Sequence, residues 1–118
     1  MELNGEKLLL RIFTGSLDKI NSTPIYEVIV HDAKDFGIAG ATVLRGIMSY
    51  GAHGFIHTAK LLAVSDDLPI VIEIIDEADK INAFVKTIEK YFDNPKHRGL
   101  ITLEKVHVIF HQSVISPE

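Results

Sequence analysis

The chain has 118 residues, 47% of them apolar and 24% charged, with a formal net charge of −4. That length suits one domain spanning 1–118 with a real core. The acidic balance speaks against a nucleic-acid scaffold, the lack of cysteine excludes disulfides, thiolate metal sites and thiol nucleophiles, and no apolar run approaches the ~18 residues of a membrane span.

The first patterned segment, Leu8 to Phe13, is short and rich in large apolar residues, and Thr14-Gly15-Ser16 stops it, which predicts a strand. A helix start follows. Thr23 suits the N-cap and Pro24 the first helical position, where its missing N–H is harmless. Ile25, Val28, Ile29, Ala33 and Phe36 then recur at helical spacing until Gly37. Residues 41–50 read as a second strand, although glycines at 40, 46, 51 and 54 punctuate the region. Glycine weakens a strand interior, so this repetition points to an edge strand that bends into a functional loop or lets a ligand or second chain approach.

An irregular stretch runs from 51 to about 68, where Asp66 and Asp67 read as turn residues. The third strand is expected over Ile70 to Ile75. Asp76 reads as the cap of a second helix with Asp79 at its third position, and Ile81, Phe84, Val85, Ile88 and Phe92 lie on one helical face. Carboxylates at 76, 77 and 79 suit a helix start for dipole and capping reasons. Asp93-Asn94-Pro95 ends the helix, and the last strand runs from about Leu100 to Phe110. The order β-α-β-β-α-β predicts an α+β, ferredoxin-like fold: one antiparallel sheet with two helices on one face.

If helices cover one face, the other should alternate to polar residues. It does not: Leu9, Arg11 and Phe13 alternate with Leu8, Leu10 and Ile12, and Val71, Glu73 and Ile75 with Ile70, Ile72 and Ile74. No spare element is evident to cover this second face. Burying ~600 Å² of it would contribute ~15 kcal/mol before association costs, which predicts an oligomer whose sheets pack together. Arg11 and Glu73 fall on that face in neighbouring strands and should form an ion pair at the interface. Lys105, His107 and His111 share one face of the last strand, and that face could be the same one.

The segments GATVLRGIMSYGAHGFIH, SDDLPIVIEIID and GLITLEKVHVI together resemble an uncharacterised bacterial family of PII-like proteins, relatives of the nitrogen-regulatory PII signal transducers. The resemblance runs from Lys7 to about Phe110 and is most specific at Ala41-Thr42-Val43-Leu44-Arg45-Gly46 and Tyr50-Gly51. It implies a homotrimer that binds an adenine-nucleotide effector (ATP, ADP or AMP) between neighbouring subunits. A flexible loop at about 51–68 would report occupancy to a protein partner, a transporter or an enzyme. It also implies a non-enzymatic regulatory role, without nucleic acid or direct membrane insertion. The chain departs from PII proteins in three places. Ala52-His53 stands where they carry a Gln, the strand between Thr42 and Gly51 is one residue longer, and the tail His111-Gln112-Ser113-Val114 has none of their arginines.

The candidate ligand contacts are therefore Thr42, Arg45, Gly46, Tyr50, Gly51, Lys96, Arg98 and Gly99. Lys96, Arg98 and Gly99 could cradle a phosphate through charge and backbone N–H groups. Arg45 is open between gripping a ligand and pairing with a neighbour's carboxylate, and Tyr50 between stacking on a base and packing at an edge. His53 and His57, like His107 and His111, are four apart, a spacing that brings metal ligands together on helices but leaves them ~13 Å apart on a strand. A divalent-metal-binding trimer resembling the cation-tolerance proteins is the alternative. No nucleophile with a base and an orienting partner is recognisable, so catalysis is not expected. The start carries no basic region followed by an apolar core, so the cytoplasm is the expected address.

Overall fold

The computed structural model describes residues 3–51, 67–113 and the backbone of 56–58. Its principal elements are β1 (Gly5–Gly15), α1 (Ile25–Phe36), β2 (Thr42–Arg45), β3 (Pro69–Asp76), α2 (Ala78–Ile88) and β4 (Leu100–Val108). The four strands form one antiparallel sheet in the order β2-β3-β1-β4. This is the expected α+β, ferredoxin-like arrangement.

The two-residue period of β1 and β3 becomes a sheet with two distinct faces. The register sets Leu10 opposite Ile74 and Ile12 opposite Ile72, and all four are essentially inaccessible. Against them pack Ile25, Ile29 and Ala33 of α1 and Ile81, Phe84 and Ile88 of α2. Each helix places its buried residues three to four apart, so one stripe faces the sheet. Phe36, expected in the α1 stripe, is 39% exposed and meets Phe84 edge-on with centroids 5.5 Å apart.

Gly37 closes α1 as expected. At φ 93 it is left-handed, and the Gly37 and Ile38 N–H groups return to the Lys34 and Ala33 carbonyls at 3.2 and 3.0 Å. That is a Schellman closure, which glycine adopts without steric penalty.

Three sequence expectations shift. Thr23 is not the N-cap: it pairs with Ile20 in a two-residue ladder turned by Asn21 and Ser22, both at positive φ, and Pro24 takes the cap position at ψ 139. The Ile25 N–H that a cap might have served goes instead to the Asp18 carbonyl at 2.8 Å. Asp76 ends β3 rather than capping α2, whose cap position is Glu77. Its fully buried carboxylate accepts the Ala39 N–H at 2.9 Å and the Glu77 N–H at 2.7 Å, tying the chain before β2 to the start of α2. The last strand stops at Val108 rather than Phe110, leaving Ile109 and Phe110 88% and 73% exposed.

The glycine-punctuated strand is broken in two. After Arg45 the ladder ends, because the Gly46 N–H donates to the Pro69 carbonyl at 2.8 Å and proline has no N–H to return. A Cβ on Gly46 would stand 2.5 Å from Pro69 Cγ, so glycine is what lets the strands approach here. Met48–Tyr50 leaves the main sheet and pairs with Ile56–Thr58 instead, inside the stretch expected to be irregular. The remainder of that expected loop, 52–55 and 59–66, lies outside the described residues, and His53 with it.

Candidate functional site

Two segments far apart in sequence meet at one end of the sheet. The register pairs Phe13 with Val71 and with Leu100, so the ends of β1, β3 and β4 come together there. Ser49, Tyr50 and Gly51 approach from one side and Arg98 and Gly99 from another, enclosing an open cleft of about 470 Å³ with Phe13, Thr14, Pro69 and Leu100. Its surface is largely apolar, with one guanidinium among the lining residues. Such a composition suits a ligand with a planar apolar body and a charged end.

The guanidinium is held by Asp67, just before β3, and the Arg98 backbone by the turn after β1. Arg98 Nη2 donates to the Asp67 carbonyl at 3.1 Å and meets the Asp67 carboxylate at 2.7 Å. The other Asp67 oxygen accepts the Leu17 N–H at 2.9 Å, and the Arg98 N–H goes to the Asp18 carboxylate at 3.0 Å. Among the described residues, Arg98 Nε is buried without a partner. Further back, His97 Nδ1 lies 3.0 Å from the Tyr91 carbonyl, and the Tyr91 hydroxyl donates to the Asp32 carboxylate on α1. Burial, then the hydrogen bond to Asp32, raises the Tyr91 phenol to about 12.

Of the sequence candidates, Tyr50, Gly51, Arg98 and Gly99 come together in this cleft. Lys96 is exposed on the same turn, where its backbone N–H goes to the Asn94 side chain at 2.9 Å. Gly46 sits against Pro69 behind the cleft wall. Arg45 pairs in register with Ile70 on the edge strand and is exposed. Thr42 stands apart. It lines a second recess of about 380 Å³ with Leu3, Leu9, Glu73, Ile75 and His111. Sequence reasoning missed Phe13, Thr14, Ser49 and Leu100, which carry no motif and reach the cleft only through strand register. It also read Arg98 only as a cation for a phosphate and Asp67 as a turn residue, although the two are partners.

The second face of the sheet carries the expected ion pair. Arg11 stands opposite Glu73, with Nε–Oε2 at 2.9 Å, and Nη1 reaches Glu104 at 2.9 Å. The hydrogen bond to Glu73, then that to Glu104, raises the Arg11 pKa further. Leu44, Ile75 and Leu100 on this face are 48%, 36% and 57% exposed. The chain does cover one end of the face, contrary to expectation. Leu3 lies beside Leu9, both buried, and its N–H donates to His111 Nδ1 at 2.9 Å. His107 and Lys105 pair with Glu6 and Leu8 and so belong to the helix side, not with Arg11. Among the described residues, no three His, Cys, Asp or Glu side chains are grouped to hold a metal ion. Nor is any described helix long and apolar enough to cross a membrane.

Residues 7–108 match the DUF190 family, described as an "Uncharacterized ACR". A UPF0166 protein from Aquifex aeolicus is 44% identical over 105 residues, 89% of this chain and 95% of that protein. Another from Methanocaldococcus jannaschii is 33% identical, covering 85% and 89%. Among solved structures, CPII from Thiomonas intermedia K12, a nitrogen regulatory PII-like protein bound to ADP, AMP and bicarbonate, aligns with TM-score 0.66 at 18% identity over 87% of this chain and 88% of that one. A putative PII-like signaling protein from Thermus thermophilus aligns with TM-score 0.64 at 20% identity, over 91% and 94%. At such identities the shared property is the fold.

Proposed function

The chain belongs to the DUF190 family, an uncharacterised family of PII-like fold, and from that premise we propose that it is a regulatory protein whose cleft binds an anionic effector of the adenine-nucleotide class. One observation carries this reading: segments 49–51 and 98–100 converge with an arginine on a largely apolar, open cleft beside the sheet face on which Leu44, Ile75 and Leu100 are exposed. In this reading the adenine packs against Tyr50, Phe13 and Leu100, and the nucleotide's phosphates are held by Arg98 with Lys96 on the same turn. A neighbouring copy covers the exposed sheet face and closes the cleft, making the working unit a homotrimer. Occupancy then alters how the loop at about 51–68 meets a partner, a transporter or an enzyme, and no bond chemistry is involved. That CPII binds ADP and AMP on the same fold supports the choice of probe.

The test is a melting series with ATP, ADP, AMP, a cyclic nucleotide and plain anions. A ligand present at about one hundred times its Kd adds about 2.7 kcal/mol, a rise of several degrees. A selective rise with one adenine nucleotide, lost in Arg98→Gln and Tyr50→Ala, is expected. No rise at millimolar nucleotide would overturn the reading.

A further inference from the structure

Resting on that reading of the cleft, we infer that Arg98 is a shared cation: Asp67 and an oxyanion of the bound effector, phosphate or carboxylate, compete for it, so binding loosens Asp67 from the turn after β1.

The observations come from both sides of the guanidinium. Both contacts to Asp67 fall on Nη2, one to the backbone carbonyl and one to the carboxylate. Nε is buried, has no partner among the described residues, and belongs to a residue that lines the cleft. The guanidinium fork is therefore used on the Asp67 side, with a donor left over that an oxyanion would satisfy. The pair cannot slide deeper to escape, because it is packed against bare backbone: a Cβ on Gly15 would collide with Arg98 Nη2 and stand 2.7 Å from the Asp67 carboxylate. A second anion at Arg98 thus meets a like charge close by, and the two weaken each other's hold.

Asp67 is also where the effect would travel. Its Oδ1 accepts the Leu17 N–H at 2.9 Å and the Ser16 hydroxyl at 3.4 Å, and that hydroxyl in turn accepts the Leu68 N–H at 3.0 Å. Together with the Ser16 N–H on the Leu68 carbonyl at 2.9 Å, these bonds anchor the 67–68 step to the end of β1. Asp18 holds the Arg98 backbone separately, so the turn keeps its place when the guanidinium changes partner. Because coupling between two sites is reciprocal, removing the Asp67 charge must strengthen anion binding by the factor that anion binding weakens Asp67.

Titrate ADP and inorganic pyrophosphate into the wild type, Asp67→Asn and Arg98→Gln, and follow exchange of the Leu17 and Leu68 amides with and without ligand. Asparagine still accepts the Leu17 N–H, so Asp67→Asn should fold and bind ADP about tenfold more tightly. Arg98→Gln should lose binding and exchange both amides quickly without ligand, while ADP should speed them in the wild type. ADP binding that Asp67→Asn leaves unchanged or weakens overturns the shared-cation account and leaves the nucleotide reading standing. Pyrophosphate binding tightened by Asp67→Asn, with no preference for ADP, does the reverse. No binding of either anion by wild type or Asp67→Asn overturns both.

Discussion

Gly46→Ala should unsettle the protein far more than any other glycine substitution in the 40–51 region. The added methyl would lie 2.5 Å from Pro69 Cγ and 3.4 Å from its Cβ. The ring cannot swing aside as a flexible side chain would, because Pro69 is paired in β3 with Gly15 of β1. Relief must come from moving β2 away, which also stretches the 2.8 Å bond from the Gly46 N–H to the Pro69 carbonyl. Overpacking of this kind costs about 1–3 kcal/mol, and losing a backbone hydrogen bond about 1 kcal/mol more. Against this, alanine restricts the unfolded chain and returns about 0.4–1 kcal/mol. The net loss is about 1–3.6 kcal/mol, read as a lower urea midpoint at fixed protein concentration. Gly51→Ala is the control, since a Cβ there meets nothing within 4 Å among the described residues. Equal midpoints for the two variants would refute the close-approach argument, and with it the reason the strand breaks at Gly46.

Arg11→Gln reports on what covers the second sheet face. It leaves Glu73 and Glu104 facing one another without their cation. If that face is wet the change should barely register, whereas under a second copy it should dissociate the assembly in sedimentation, with Glu104→Gln restoring it. Tyr91→Phe removes the bond to Asp32, and its effect should depend on pH. The folded phenol titrates near 12 against 10 when unfolded, so the stabilisation is full below pH 10 and is lost as pH rises toward 12. Melting curves of the wild type and Tyr91→Phe should therefore differ below pH 10 and converge above it. A constant gap would show that the hydroxyl contributes through packing alone.

Much of the fold is legible because local signals agree with the final packing. The apolar alternation in β1 and β3, the helical stripes and the left-handed Gly37 all follow from neighbours in sequence. What escaped depends on register. Gly46 announces freedom, yet nothing local reveals that Pro69 will stand against it. Asp76 has the spacing of a cap, but the amide of Ala39 competes for its carboxylate once the pairing of β2 with β3 brings the two to the same point. Thr23 lost the cap because the positive-φ turn at Asn21 and Ser22 drew it into a ladder. In the cleft, the basic turn was visible while its partner Asp67, 31 positions away, was not. Phe13 and Leu100 read as ordinary strand residues until the β1–β4 register set them side by side.

Native mass spectrometry of the full chain with ADP tests the central claim most directly, since it reads copy number and occupancy together. The account predicts three copies carrying bound ADP, with retention lost in Arg98→Gln while the three-copy mass persists. A three-copy species that stays free of ADP at millimolar nucleotide, or ADP held equally well by single copies, would contradict it.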